Sequence, residues 1–465
     1  MTRISLGILL LSIAVSAHAK TLYVDTARGN DSVTYEQNSE QTPWQTIGRA
    51  AWGNASRGAP NQNQAARAGD TVVVRAGTYY TSGIGSRYEP VYNPVNSGTS
   101  AAPIVFEADG AVRLSYTNGS GAMIGTYRRD YISWKGFYIN EATAPSVPDT
   151  GSIVLWSTTG SSIENCEIDG NGSDGRQDNH NGIRLEHANN VTIRNNRIYN
   201  VLYGNGSTHH NGAGIMAYFS AGALIEHNEI YGSGSGIFVK GGDNRDFTVR
   251  YNLVRNNSKG ILFMYTNAQG RHLVYQNISK DNNAGISIEL GSKNVNVVNN
   301  TLVGNRDGVR FGTYADTMSN IAVRNNIVMT ANEAVSGGEA QTAAPFSLDH
   351  NMYYDNAGGW SIAGVAYGSM SAWRAALGGT QAGDDYFSIT SNPLFQDVSA
   401  GNYRLRSDSA ALRAGIDVLD LNRNGSTSDP LPLGAYITGN EAIGLLVGGA
   451  AISPPSPPTD LEVIP

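Results

Sequence analysis

GIFVKGGDNRDFTVRYNLV, residues 236–254, is one copy of a pattern that returns about every 25 residues along the chain. Each copy begins with Gly and an apolar residue and later contains an apolar-x-x-Asn-x-apolar segment. The opening glycines are Gly182, Gly214, Gly236, Gly260, Gly285 and Gly308. Repeats of this length are stacked units that cannot bury their apolar face alone. The sequence therefore predicts a solenoid.

Within each copy, apolar side chains alternate with other side chains, which is the period of a β-strand. In the copy at 236–240, Ile237 and Val239 should point inward, and Phe238 and Lys240 outward. No helical period of 3.6 residues is present, and Val, Ile, Gly and Asn are abundant. We therefore predict an all-β fold, a parallel β-helix with three short strands in each coil.

One asparagine returns in every copy, inside a turn between two strands. There a side-chain amide can bond to the same residue of the next coil and to the backbone. These predicted ladder residues are Asn196, Asn228, Asn252, Asn277, Asn300 and Asn326. Cys166, the only cysteine, occupies the same position one copy earlier. It cannot form an intramolecular disulfide, and we expect a buried structural thiol.

The chain divides into four predicted parts. Residues 1–19 have the charge, apolar stretch and small-x-small end of a secretory signal peptide, so we expect a periplasmic or extracellular protein. Residues 20–80 should form an N-terminal cap with a short helix in PWQTIGRAAWGNA, followed by the first coil. Residues 81–437 should form the β-helix. Residues 438–465 end in a proline-rich stretch and should be a disordered tail or linker.

Composition restricts the partners. Charged residues are 15% of the chain, against about 25% in ordinary soluble domains, which suits a fold of stacked neutral side chains. The net charge of −7 argues against a nucleic-acid partner. No apolar run beyond the signal is long enough to span a membrane. We expect a monomer that binds a polysaccharide.

From Thr21 to Ile437 the sequence resembles the right-handed parallel β-helix proteins of the pectate-lyase-like superfamily. The resemblance rests on the asparagine repeats, on the opening TLYVDTARGND, PWQTI and GDTVVVRAGTYY, and on the closing NPLF and LGAY. It implies a secreted carbohydrate-active protein. The superfamily contains lyases, hydrolases, uronan epimerases and non-catalytic adhesins, so fold alone does not select one activity.

The repeat predicts which outward side chains stand in one column. The fifth residues of successive Gly-Ile strands should be neighbours at a spacing of ~4.8 Å. That column is Trp156, Glu186, Tyr218, Lys240, Met264, Glu289 and Gly312. Two residues earlier, the parallel column includes Phe238 and Leu262, which with Met264 would form an exposed apolar strip unless the 265–271 loop covers it.

Four residues are the predicted catalytic group: Lys240, Tyr218, His209 and His210. Elimination across a uronate ring requires removal of a proton next to a carboxylate, whose charge must be neutralised by a cation. A base takes the proton and an acid protonates the leaving oxygen, and Lys, Tyr and His all serve these roles. The group therefore favours a lyase that acts on an acidic, uronate-containing polysaccharide.

Seven further residues are predicted to bind substrate: Arg184, Trp156, Glu186, His180, Asp178, Arg271 and Arg310. Arginines hold carboxylates bidentately, and aromatic faces stack on the apolar faces of sugars. No cofactor is predicted with certainty. Calcium could neutralise the substrate carboxylate, but no tight acidic calcium loop stands out, so the metal stays open.

The strand at 236–240 is also similar to the Lys-bearing strand of alginate-lyase and chondroitinase B β-helices. That resemblance implies a lysine base, matched by Lys240, and an arginine acid one coil later. Met264 stands at that second position, and Arg271 could replace the arginine only through its loop.

Three alternatives remain open. A hydrolase needs two carboxyls roughly 5–9.5 Å apart. Glu186 and Glu289 are four rungs, ~19 Å, apart, which leaves Asp178 with Glu186. The Asp178-Asn179-His180 stretch is similar to the Asp-Pro-His of mannuronan epimerases. A non-catalytic carbohydrate-binding envelope or matrix protein would not need the lysine and histidine group.

Overall fold

Parallel pairing between successive repeats winds the chain into a right-handed β-helix, as the repeat predicts. The structure is a computed structural model, and it describes residues 19–83, 85–117, 120–140, 149–171, 179–203, 207–267, 269–312, 318–337, 346–378 and 383–446. The predicted signal peptide lies almost entirely outside these ranges. Each coil contributes one strand to each of three faces, and their inward aliphatic and aromatic side chains form one continuous core.

Face 1 is a sheet of its own and carries the Gly-Ile strands of the repeat. Its pairings are parallel up to the last strand, which turns back antiparallel. The strands of face 1 are Ile124–Tyr127, Gly151–Thr159, Asn181–Asn189, Ala213–Tyr218, Ser235–Lys240, Lys259–Met264, Ala284–Glu289, Asp307–Phe311, Glu333–Gly337, Gly359–Ile362 and Val365–Tyr367.

Faces 2 and 3 are joined in a second sheet, because three long early strands run through both of them. Those long strands are Thr71–Thr81, Ile104–Tyr116 and Ile132–Asn140. The other strands of face 2 are Thr21–Val24, Ser162–Glu164, Thr192–Arg194, Leu224–Glu226, Thr248–Arg250, His272–Tyr275, Lys293–Val298, Ser319–Arg324 and Phe346–Asp349. The other strands of face 3 are Glu167–Asp169, Arg197–Tyr199, Glu229–Tyr231, Leu253–Arg255, Ile278–Lys280, Thr301–Val303, Ile327–Met329 and Met352–Tyr353.

A short helix closes the N-terminal end of the core, as the sequence predicts. It spans Ile47–Trp52, and the Thr46 side chain caps it by accepting from the amide of Arg49. Gly53 ends it in the left-handed conformation that glycine adopts without a steric cost. The other helical elements of the described residues are Met370–Leu377 and the 3₁₀ turns Gln62–Gln64 and Ala410–Arg413. Within the described ranges, none of these helices has the length and apolarity to cross a membrane.

A stack of asparagines runs along the turn between faces 2 and 3. The Asn252 side chain donates to the carbonyls of Ile225 and Arg250 at 2.9 Å each and to Oδ1 of Asn277 at 3.0 Å. Its own Oδ1 accepts from the backbone and side-chain amides of Asn228. The same pattern repeats from Asn196 to Asn351, and the side chains are fully buried. Each coil therefore provides hydrogen-bond partners for the buried polar groups in the turn of its neighbour.

Cys166 begins this stack, where its backbone amide donates to Oδ1 of Asn196. Burial raises the pKa of its thiol to about 12, so it stays protonated and unreactive in neutral solution. The residue before each stacked asparagine has positive φ, as at Asn195 and Tyr251. Asparagine tolerates that conformation better than most residues, which explains the recurrent Asn-Asn pairs of the repeat.

A second, shorter stack follows the turn between face 3 and face 1 and was not predicted from the sequence. It joins Ser233, Asn257, Asn282 and Asn305, each amide donating to the Oδ1 of the next coil. Because this turn leads directly into the face 1 strands, the stack fixes where each of those strands begins.

The C-terminal segment folds back along the turn between faces 2 and 3. Gly434 donates to the carbonyl of Asn325, Gly444 to that of Tyr251, and Leu446 to the side chain of Asn195. Its apolar side chains cover the outer surface of face 3. Residues 438–446, assigned to the tail from the sequence, therefore lie against the solenoid, and face 1 keeps its outer surface clear of this segment.

Replacing Asn252 with alanine tests the stack. The change leaves the amides of Asn228 without their acceptor and two carbonyls without their donor, so we expect a loss of about 1–3 kcal/mol for each orphaned buried group. Thermal or denaturant unfolding measures it. The Asn283→Ala variant is the control, because Asn283 is exposed and its φ is not positive, and it should melt like the parent. Equal melting temperatures for both variants would show that the stack does not stabilise the fold.

Candidate functional site

The outward column of face 1 has the register that the repeat predicts. Glu186 pairs with both Trp156 and Tyr218 in adjacent strands, and Lys240 pairs with Met264. The pairing of Ala217 with Val239 places Tyr218 and Lys240 side by side. The structure thus brings together the predicted lysine and tyrosine on neighbouring rungs.

The apolar part of this face is covered, so the prediction of an exposed strip is wrong. Phe238 and Leu262 are fully buried and Met264 is 4% exposed, although all three point away from the core. They form a separate cluster with Met216 and Ala213. One cover is the loop before the strand Ala213–Tyr218, whose His210 ring lies edge-on to Phe238 at 5.6 Å.

Lys240 ends its strand above this apolar cluster. Its ammonium lies 5.6 Å from the centre of the Tyr218 ring and 5.5 Å from that of Phe238, and donates to Oδ1 of Asn211 at 3.3 Å. Among the described residues, no carboxylate lies within 4.0 Å of it. Burial and the nearby Arg184 charge lower the pKa of Lys240.

Tyr218 carries the opposite shift. Its ring lies between two cations, the Arg184 guanidinium at 4.6 Å and the Lys240 ammonium. Burial raises the pKa of its hydroxyl, and Arg184 opposes that effect only in part. Tyr218 is therefore a proton donor in neutral solution, next to an amine that releases its proton more readily than an ordinary lysine.

The two predicted histidines lie together in the loop above Lys240. The rings of His209 and His210 are 4.0 Å apart, and His209 accepts through Nδ1 from the amide of Asn211. Burial and then the charges of His209, Lys259 and Lys240 lower the pKa of His210 to about 4. His210 is consequently neutral at pH 7 and adds no positive charge to the site.

Arg184 and Glu186 form a buried ion pair on the rung next to Tyr218. Their atoms meet at 2.8 and 3.0 Å, and both side chains are less than 10% exposed. Arg184 also donates to Oδ1 of Asn181 at 3.2 Å. Both were predicted as substrate contacts; the structure places them beneath the surface, where they support the Tyr218 ring.

Arg87 is an exposed cation at this site that the sequence reasoning missed. Its guanidinium lies 3.8 Å from Glu186, 3.6 Å from Asp149 and 5.7 Å from the centre of the Trp156 ring. The contacts are long for hydrogen bonds, and 47% of the side chain is exposed. None of its described partners holds Arg87 tightly, so it can turn toward a bound carboxylate.

The other predicted substrate residues are dispersed. His180 is buried, and Arg310 is exposed two rungs beyond Met264. Arg271 lies at the turn into face 2, where its amide donates to Asp246. Asp178 lies outside the described residues. The half-buried Trp156 remains at the site, in edge contact with Tyr88 at 5.1 Å.

The described part of the chain has no metal cluster, and one cavity lies away from this site. No three histidine, cysteine, aspartate or glutamate side chains of that part come together as metal ligands. A cavity of about 490 Å³ is lined by Thr78, Arg113, Tyr138 and Glu167 on faces 2 and 3. It contains none of the predicted site residues.

Arg87, Asn211 and Asp149 were missed because they lie outside the repeat. Arg87 and Asp149 occupy irregular connections, where no periodicity shows which residues will be neighbours. Asn211 could have been found, since it lies between the His-His pair and the Gly that opens the next strand.

Residues 200–302 match the family model described as a right handed beta helix region. Among solved structures, XylC in complex with xylose is 13% identical, with a TM-score of 0.52, over 91% of this chain and 99% of that one. The pectate lyase Pel9A is 15% identical, with a TM-score of 0.48, over 90% and 96%. No curated protein sequence matches the chain. At these identities the likeness establishes the fold.

Glu186→Ala tests whether this carboxylate is structural. It leaves the buried Arg184 guanidinium without its partner, so we expect a loss of about 3–5 kcal/mol in the free energy of unfolding, measured by denaturant titration. Asp408→Ala, which removes an exposed partner of Arg406, is the control and should change stability little. A Glu186 variant as stable as the control would mean that this pair does not hold the site.

Proposed function

We propose that the protein is a polysaccharide lyase that cleaves a uronate-containing chain by β-elimination, with Lys240 as the base and Tyr218 as the acid. The observation that carries the proposal is the pair itself. An amine with a lowered pKa lies beside a phenol with a raised pKa, and no described carboxylate lies within 4.0 Å of the amine. Opposed shifts of this kind assign the base and the acid.

The reaction needs one proton acceptor, one proton donor and a counter-charge. Neutral Lys240 removes the proton at C5 of the uronate, the C4–C5 double bond forms, and the C4–O bond breaks. Tyr218 donates its proton to the departing oxygen. Solvent then takes the added proton from Lys240 and returns a proton to Tyr218. Because both groups belong to adjacent rungs, they reach the same sugar ring.

Arg87 is the group that we assign to the substrate carboxylate. Carbanion character develops at C5, and a guanidinium on the neighbouring carboxylate stabilises that charge. Arg184 is already engaged by Glu186 and is buried, whereas Arg87 is half-exposed and its partners among the described residues lie at long distance. Acidic substrates are therefore favoured over neutral ones.

A hydrolase is the second candidate, because Asp149 and Glu186 both contact Arg87 and so face the same point. Hydrolysis requires one carboxyl to deliver a proton and the other to attack or to activate water. Glu186 is occupied by the Arg184 ion pair, which leaves it poorly placed for either task. The lysine and tyrosine pair would also have no role in that reaction.

Lys240→Ala should reduce turnover of a uronate polysaccharide roughly 10²–10⁴-fold, since a positioned base is lost. The rise in ultraviolet absorbance from the new double bond measures it. Lys240→Arg should retain polysaccharide binding without turnover, because arginine stays protonated. Lys280→Ala, on face 3, is the control and should react like the parent. Turnover by both Lys240 variants within a few-fold of the parent would transfer the role of base to His210.

The pH profile separates the two possible bases. If neutral Lys240 is required, the rate rises with pH up to the lowered pKa of this lysine, and falls only when Tyr218 loses its proton at still higher pH. If His210 were the base, its pKa of about 4 would bring the rate to a plateau well below pH 7. Measuring kcat/KM across this range decides between them, and a flat profile through neutral pH would contradict the assignment of Lys240.

A further inference from the structure

A continuous strip of aromatic rings runs along the edge of face 1, beside the catalytic pair. Successive ring centres are 5.4 Å apart from Tyr127 to Tyr88, 5.1 Å from Tyr88 to Trp156, 6.3 Å from Trp156 to His187, and 5.2 Å from His187 to Phe219. Tyr127 pairs with Trp156 in the adjacent strand, with Tyr88 beside both, and Trp156, His187 and Phe219 belong to three successive coils that rise ~4.8 Å each. The strip is thus parallel to the solenoid axis.

Three of the five rings are exposed, which folding does not explain, and Tyr127 and Trp156 are half-buried between them. Tyr88 is 42% exposed and Phe219 40%, and His187 is exposed as well. Solvent-exposed aromatic residues that are contiguous mark interaction surfaces more often than isolated ones do. A packing role would require a cover, and the described residues provide none over Phe219.

The backbone also disfavours these residues. His187, Phe219 and Tyr265 each come directly after the residue that their face 1 strand gives to the outward column. Their φ values are 51°, 48° and 54°. Bulky residues rarely adopt that left-handed conformation. Arg128, Ser157 and Leu290 share it in the same row, so the turn of each coil sets the backbone and does not itself require an aromatic side chain. Glycine at these positions would be easier to accommodate, as at Gly241 in the same row.

Gly241, which has no side chain, leaves an opening in this row at the rung of Lys240. Its φ is 112°, and a Cβ there would meet the Tyr218 ring at 3.5 Å. Phe219 lies one coil before this opening, and Tyr265, 49% exposed, lies one coil after it. Aromatic surfaces therefore flank the catalytic rung on both sides.

We propose that this strip binds an extended acidic polysaccharide along the solenoid axis, with sugar rings stacked on both sides of Lys240, so that cleavage is internal to the chain. Sugar rings present apolar C–H faces that pack on aromatic faces, and one sugar unit is comparable in length to one rung. The site of cleavage rests on the proposed function; the binding does not.

Charge along the strip selects acidic sugars. Two guanidinium groups lie over its rings, Arg128 at 5.0 Å from Tyr127 and Arg87 at 5.7 Å from Trp156. Both are exposed enough to meet a carboxylate at the edge of a stacked uronate. Because they stand at successive positions of the strip, they match a chain with a carboxylate on each unit.

Binding is measured with the Lys240→Ala protein, which should not consume its ligand. Oligogalacturonates and oligomannuronates of increasing length are titrated by calorimetry. Phe219→Ala in this background should weaken binding roughly 10-fold, the loss typical of a central aromatic contact. Affinity for the better-bound series should increase with oligomer length until the ligand spans the strip.

The matched control is Phe387→Ala, which removes another exposed aromatic ring, stacked on His350 at the far end of the solenoid. It should bind like the Lys240→Ala protein alone. Phe219→Gly guards against misfolding: glycine suits the positive φ, so this variant should melt no lower than its parent while binding as weakly as Phe219→Ala. Unchanged affinity in both Phe219 variants would contradict the proposal that the strip binds polysaccharide.

Internal cleavage is tested in the active protein. Phe219→Ala and Tyr265→Ala should each raise KM with kcat near the parent value, and viscosity of the polymer should fall before many new ends appear. Release of terminal units alone would contradict internal cleavage while leaving the binding result intact. If the protein binds the polysaccharide through Phe219 but forms no elimination product, the proposed lyase function is rejected and the proposed binding along the strip is retained.

Discussion

The hydrogen bonds between stacked asparagine side chains are the interaction on which the rest of the molecule depends. Each amide joins one coil to the next and to the backbone of its own turn, so a shift of one coil would break bonds in two others. A strand register that slips by one residue reverses inward and outward side chains. By fixing register at two of the three turns, the asparagine stacks place Tyr218, Lys240 and their neighbours on the same face of consecutive coils.

A rigid column of rungs is well suited to acid and base chemistry on a polymer. Neighbouring coils hold two titratable groups at a fixed spacing, and the apolar cluster beneath them removes water from one side. That partial burial shifts the lysine and the tyrosine in opposite directions, because it penalises the charged form of each. The C-terminal segment lies on the turn between faces 2 and 3, so it does not cover face 1.

The sequence predicts what the period controls. The fold, the outward column and the contact of Lys240 with Tyr218 follow from alternation and from one repeated asparagine, and the N-terminal helix follows from the amphipathic pattern of PWQTIGRAAWGNA. Whether an outward residue is exposed does not follow: Phe238 and Leu262 are covered by contacts that depend on loops of irregular length. Arg87 and Tyr88 come from such a loop, and Phe219 requires knowledge of a backbone conformation that no pattern encodes.

Mass spectrometry of the products from a defined oligouronate tests the central claim most directly. Elimination divides the substrate without adding water, so the masses of the two products should sum to that of the substrate. The double bond should lie on the fragment that contains the C4 atom of the broken C4–O bond. Products whose masses sum to the substrate plus one water would show hydrolysis, and would contradict the roles given to Lys240 and Tyr218.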